Sequence, residues 1–252
     1  MKKYIKENWK FFIFMILMCI IGGYFTTIYS INSLDQKIID DAIKQAGSKE
    51  VVIIVSILQI ALYAVILGAI GLVLSNKMGL WKKIEKNKNA IIGVIIISII
   101  GGLLLSLFDR YVFGSFSDPI LHSYDSKPSL EYIIASLTYG AVFEEILLRL
   151  FFMSLLSWII SKIFYRKENK TPTKVFIIAN VISALLFALL HIPANIQTFG
   201  YIDGLLLFRC LLMNGLFGLS FGWLYRKYGI GYSMLAHFGC HLISKLIWIL
   251  YI

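Results

Sequence analysis

Apolar residues run along this chain in long blocks separated by short polar connections. The blocks fall at about residues 10–30, 51–75, 90–108, 132–160, 175–192, 205–225 and 230–252. Each is long enough to cross the ~30 Å hydrocarbon core of a bilayer as a helix. The pattern predicts an all-α fold, a polytopic transmembrane helical bundle of about seven spans. An eighth span would fit if 131–164 were a broken helix rather than a tilted one. The longest polar stretches, about 31–50 and 109–131, are too short to fold alone, so 1–252 reads as a single membrane domain.

Composition agrees with this pattern. The 252 residues are 59% hydrophobic and 15% charged, with a mean hydropathy of +0.80, whereas a soluble domain carries roughly a quarter charged residues. The net charge of +10 invites a nucleic-acid reading, but the cations are placed for topology instead. Lys2, Lys3, Lys6 and Lys10 precede the first span, and Lys77, Lys82, Lys83, Lys86 and Lys88 follow the second. Lys162, Arg166, Lys167, Lys170 and Lys174 follow the fourth, and Arg226 and Lys227 follow the sixth. The alternate connections hold Lys37, Lys44, Lys49, Arg110 and Lys127 with most of the acids. This is the positive-inside asymmetry. It predicts a multi-pass protein of the cell membrane with a cytoplasmic N-terminus, lipid as its surroundings and no nucleic-acid partner.

The first apolar run follows a basic segment and lacks a small-x-small cleavage site, so it reads as a retained anchor. Cys19, Cys210 and Cys240 all fall within predicted spans and match neither a disulfide framework nor a metal-thiolate spacing. Gly215, Gly218 and Gly222 stand at small-xxx-small spacing on the sixth span, which predicts close helix packing inside the bundle. Gly229, Gly231 and Gly239 are candidates for a break in the last span. Arg209 and Lys245 lie within or near the last two spans, where pairing or snorkelling is expected ahead of substrate contact. Asp109–Arg110 reads as a solvated pair at the outer end of the third span.

Candidate chemistry sits inside the membrane. The stretch VFEEILLRLFF, 142–152, places two glutamates and an arginine in an apolar run, where each charge costs roughly 2.5–3.5 kcal/mol at mid-bilayer. Glu145 and Arg149, spaced i, i+4, share a helix face and can pair. Glu144 sits about 100° around the helix and is left as the more available carboxylate. Three of the four histidines are also in or at the ends of spans: His191 in FALLHIPAN, then His237 and His241 at i, i+4 in MLAHFGCHL. A shielded carboxylate beside an imidazole can activate water as a general base, and imidazole N–H groups can stabilise an oxyanion. The histidine pair is equally a half-site for a divalent metal such as zinc, which His191 or Glu144 would complete. Both routes describe amide hydrolysis in or at a membrane.

Three of these stretches, EEILLR (Glu144, Glu145, Arg149), FALLH (Phe187, His191) and HFGCH (His237 and position 241), resemble in order the motifs E-E-x-x-x-R, F-x-x-x-H and H-x-x-x-(N/D). These belong to the CAAX protease and bacteriocin-processing family, intramembrane endopeptidases that include the type II CAAX prenyl endopeptidases. The resemblance spans about 130–245. It implies that Glu144 activates water with help from His191, and that His237 and His241 line the oxyanion site. It also implies that Glu145 and Arg149 are structural and that Phe187 packs the site wall. Position 241 departs from the family pattern, being His rather than Asn or Asp; this tilts slightly toward a metal ligand set of Glu144, His191, His237 and His241, leaves glutamate-activated water open, and leaves room for an inactive or altered member. The implied partner is a membrane-associated peptide or protein. The Lys- and Ile-rich composition looks bacterial, and for a bacterial member the resemblance implies peptide processing, of the bacteriocin or signalling-peptide kind. The rival readings are a non-catalytic scaffold or bacteriocin-immunity protein, and a proton-coupled transporter, against which the lack of an internal repeat argues. Depth counting separates the motifs: Glu144 falls near mid-membrane, His191 toward the outer side and His237 nearer the cytoplasm.

Overall fold

A computed structural model describes residues 2–168 and 171–252; Lys170, one of the basic residues of the fourth connection, lies outside them, as do the side chains of Lys2 and Lys3. Among the described residues, seven helices are long and apolar enough to cross a membrane. They are α1 (Trp9–Ser33), α3 (Lys49–Lys77), α4 (Lys88–Phe116), α5 (Leu130–Phe164), α6 (Thr173–Phe199), α7 (Gly204–Tyr228) and α8 (Ile230–Tyr251). The shorter α2 (Gln36–Ala46) joins α1 to α3. The stretch long enough for two spans is one continuous helix, α5, so the bundle has seven spans and not eight.

Local sequence explains where the helices begin and end. Ser48, Asn87, Ser129 and Asp203 each accept a hydrogen bond from a backbone N–H in the first turn of α3, α4, α5 and α7, satisfying donors that the helix itself leaves orphaned. Gly229, at φ 100°, makes the tight junction between α7 and α8, a conformation a side chain would strain. Lys82 donates to the carbonyls of Arg226 and Lys227 at 3.0 and 2.6 Å, closing the C-terminal end of α7. Burial there, with the Arg226 charge beside it, lowers the Lys82 ammonium below its usual range.

Exposed Ile54, Leu58, Ile95, Ile99, Val181 and Leu185 give the bundle an apolar outer face, which suits lipid and would be a liability in water. At the centre stands α5, which packs against α1, α3, α6 and α8. Its Ile146, Leu150 and Met153 join one core with Met15, Leu72 and Tyr225. Leu148 joins a second core with Phe187, Phe217 and Phe221. Small residues allow the close crossings: a methyl on Gly22 would stand 2.6 Å from the Tyr139 backbone nitrogen, and one on Gly71 would stand 2.7 Å from the Leu150 carbonyl oxygen. Of the glycines at small-xxx-small spacing, Gly218 and Gly222 press on Ala184 and Asn180 of α6, whereas Gly215 faces open space.

Leu104–Phe113 of α4 is wound with i→i+5 bonds, and two further departures from regular winding shape the interior around the motif residues. Ser136–Glu144 and Ile146–Met153 of α5 are wound with i→i+5 bonds, a wide turn that recurs at functional sites. The second is a break in α6 at His191, between Leu190 and Ile192. Pro193 causes it, having no N–H for the Leu189 carbonyl and clashing with it. The break expected in the last span is absent. Gly231 and Gly239 lie inside a continuous α8 and serve close packing instead, against Ile84 and Ser98.

Candidate active site

Glu145 is completely buried at the junction of the two wide-turn segments. Its Oε1 lies 3.1 Å from Arg149 Nη1 and 3.0 Å from His237 Nδ1, and its Oε2 accepts from the Ser233 hydroxyl. The i, i+4 pair expected with Arg149 is therefore present, and His237 and Ser233 of α8 add two partners to it. Arg149, equally buried, lies with its guanidinium carbon 4.4 Å from the Phe187 ring centre and 5.5 Å from that of Phe221, and donates to the Gly218 carbonyl at 3.3 Å. One ion cluster thus ties α5 to α6, α7 and α8.

Glu144 is placed differently. Its side chain keeps 20% of its surface exposed, and its nearest charged partner is His237 Nε2, with Oε2 3.9 Å away. It faces a cavity of about 600 Å³ that Gly140, His191, His241 and Lys245 also line. A cavity of that size is polar and roomy enough for ordered water and a short peptide segment.

The histidine protons follow from their partners. A carbonyl oxygen can only accept, so His191 Nδ1, 2.8 Å from Phe187 O, carries the proton, and the Nε2 of the neutral ring is left as an acceptor. His237 Nδ1 likewise donates to Glu145. The Nε2 atoms of His237 and His241 stand 3.2 Å apart, so one bridging proton lies between them. Phe221 stacks on His237 at 4.5 Å, and Phe187 meets both His191 and His237 edge-on. Despite the separation in counted depth, Glu144, His191 and His241 all line one cavity, and His237 stands behind it, 3% exposed. The break at His191 and the wide turns of α5 distort the even rise on which that counting rests.

Residues 126–243 match the family described as type II CAAX prenyl endopeptidase Rce1-like. The match covers 118 of the 252 residues and makes this segment similar to the Rce1-like family. No curated protein and no solved structure matches the chain. The Rce1-like segment begins just before α5 and takes in α6, α7 and most of α8, and it contains all seven residues named from the three motifs. The seven apolar helices are those of a multi-pass membrane protein, and what the matched segment resembles is a family of prenyl endopeptidases.

The Rce1-like site can be tested against the metal alternative. Two ligands of one tetrahedral zinc stand about 3.3 Å apart, which the His237–His241 spacing of 3.2 Å would allow. Glu144 is farther off at 3.9 Å, and among the described residues no three His, Cys, Asp or Glu side chains converge at metal-binding distance. As placed, the donors among the described residues do not form a metal site.

Sequence reasoning missed Ser233, which donates to the Glu145 carboxylate that His237 also contacts, and Phe221, which stacks on the His237 ring. Neither carries a signal of its own; only Ser233 at i−4 from His237 hints at a shared face. The boundary pair was also misread. Asp109 is 2% exposed and pairs with Arg209 of α7 through both oxygens, while Arg209 reaches Asn195 at 3.0 Å and Tyr124 donates to Asp109 at 2.7 Å. Burial, then the Asp109 charge, raises the Tyr124 phenol above its usual range, so it stays a donor. Arg110 is not part of this cluster, and its Nε and Nη1 are buried without partners. Cys19, Cys210 and Cys240 are buried free thiols.

Proposed function

We propose that the protein is an intramembrane endopeptidase that hydrolyses a peptide bond in a membrane-associated peptide, with Glu144 as general base. One observation carries this reading. Of the two adjacent glutamates, Glu145 is consumed by three partners, while Glu144 faces the cavity with no hydrogen-bonding partner. A water between Glu144 and the Nε2 lone pair of His191 gives its proton to the carboxylate as its oxygen attacks the scissile carbonyl. The oxyanion takes the proton bridging His237 and His241 as its hydrogen-bond donor. When the tetrahedral species collapses, the C–N bond breaks, and the proton held by Glu144 passes to the leaving amine. Glu145, Ser233 and Phe221 hold the His237 ring in place for this, as an orienting carboxylate does for a catalytic histidine.

Ser126–Ser129 and Gln197–Phe199, at the ends opposite the cationic connections, are among the residues that line the cavity. In the orientation given by the positive-inside rule, that face is extracytoplasmic. The substrate class is then an exported or exporting peptide of a bacterium, of the bacteriocin or signalling kind, in the cell membrane.

His241, where the family pattern has Asn or Asp, favours a second reading, a non-catalytic immunity or scaffold protein that keeps these residues for folding. Incubation of purified protein with labelled apolar peptides separates the two. Wild type, Glu144→Gln and Glu145→Gln are compared, each with and without a strong chelator. Cleavage lost in a folded Glu144→Gln protein and indifferent to chelator is the expected result. Cleavage lost to chelator and restored by zinc identifies a metal-bound water instead, and a folded wild type that cuts nothing moves the scaffold reading to first place.

A further inference from the structure

Two cations of the last two helices line the cavity, and they are placed differently. The guanidinium of Arg209 is closed off by Asp109 and Asn195. Lys245 is 5% exposed and forms no ion pair with any carboxylate among the described residues. Neither pairing nor snorkelling to the surface describes it. Its ammonium lies 4.1 Å from the Tyr132 ring centre and 5.7 Å from that of Trp248, both cavity-lining rings. Ring faces attract a cation but carry no net charge, so the positive charge inside the cavity stays uncompensated. Asp109, the buried carboxylate of the same cavity, has both oxygens occupied by Arg209 and one also by Tyr124.

Register adds the second half of the inference. His237, His241 and Lys245 stand at i, i+4 and i+8 on α8, which puts them on one face with each step rising about 6 Å. Lys245 is thus one helical turn beyond His241, toward the C-terminal end of α8, and Trp248 follows it along the cavity wall. That rise equals about two residues of extended peptide.

We propose that Lys245 is a substrate-binding residue that pairs with a carboxylate of the peptide, either its C-terminal carboxylate or an acidic side chain, about two residues from the bond placed at the histidine pair. The location of that bond rests on the hydrolase reading; the carboxylate preference of Lys245 does not. It gives the cavity a specificity determinant beyond apolar fit, since a neutral peptide leaves the buried ammonium unpaired.

Binding without turnover tests this directly. A neutral-dye-labelled apolar peptide is titrated against Glu144→Gln protein in nanodiscs of zwitterionic lipid, followed by fluorescence anisotropy. Three forms are compared: a free C-terminal carboxylate, a C-terminal carboxamide, and the carboxamide with one internal Glu near the C-terminus. At least one carboxylate form is expected to bind about tenfold more tightly than the neutral form, and which one does so identifies the source. Adding Lys245→Met removes the difference while the neutral form still binds, and Lys245→Arg keeps it. Equal affinity for all three forms, absence of binding, or a preference that survives Lys245→Met overturns the proposal. A standing preference in a wild type that cleaves nothing would sink the hydrolase reading alone.

Discussion

Replacing Glu145 with Gln tests the buried ion cluster most severely. The substitution keeps the shape of the side chain and removes the charge that faces Arg149 Nη1 at 3.1 Å. Arg149 is completely buried, so its guanidinium is left with two aromatic rings and one carbonyl. Those contacts already exist in the wild type and do not compensate. Breaking a buried pair by removing one partner costs about 3–5 kcal/mol. At about 2–4 °C per kcal/mol for a chain of this size, the midpoint of thermal unfolding in detergent falls by about 6–20 °C. The double variant Glu145→Gln/Arg149→Met removes both charges and restores most of that loss, because an uncharged pair of similar volume is near neutral. Activity separates from stability in the same double variant. His237 loses the carboxylate that fixes its Nδ1, so peptide cleavage stays between about tenfold and 10⁴-fold below wild type. A single variant within about 1 kcal/mol of wild type, or a double variant as unstable as the sum of its singles, would refute this account of the cluster.

The remaining outcomes follow from contacts described above. His241→Asn, which installs the family residue, keeps cleavage within about tenfold of wild type, whereas His241→Ala removes a donor and lowers kcat by about 10²–10³ with KM little changed. Gly71→Ala, whose methyl meets the Leu150 backbone, destabilises by about 1–3 kcal/mol in thermal unfolding, while Gly215→Ala, in open space, stays within about 0.5 kcal/mol. Asp109→Asn strands Arg209 and lowers stability, and adding Arg209→Met to it recovers the loss; a double variant no more stable than the single counts against the pair.

Much of this architecture was legible because the bilayer imposes few solutions. Seven apolar blocks gave seven helices, and the i, i+4 spacing of Glu145 and Arg149 anticipated their ion pair. The depth mismatch among Glu144, His191 and His237 was not resolved from residue counting, for two different reasons. Pro193, two residues past His191, is a helix-breaking signal in the sequence, whereas Gly231 and Gly239, which carry a similar signal, sit in a continuous α8. The wide turns of α5 leave no residue signature, since Ser136–Glu144 and Ile146–Met153 read as ordinary apolar helix. Asp109 was misassigned because its sequence neighbour Arg110 looked like its partner, whereas the partner lies 100 residues away on α7. Pairings between helices are invisible to periodicity, which reports one helix face at a time.

The polar lining of the cavity also bears on an order of events. Ser126–Ser129 and Gln197–Phe199 line it at the ends opposite the basic connections, so on the proposed orientation a peptide that enters past them reaches Glu144 from the extracytoplasmic face. Cleavage would then have to follow translocation, and the bilayer itself would act as the timer, shielding the precursor until it has crossed.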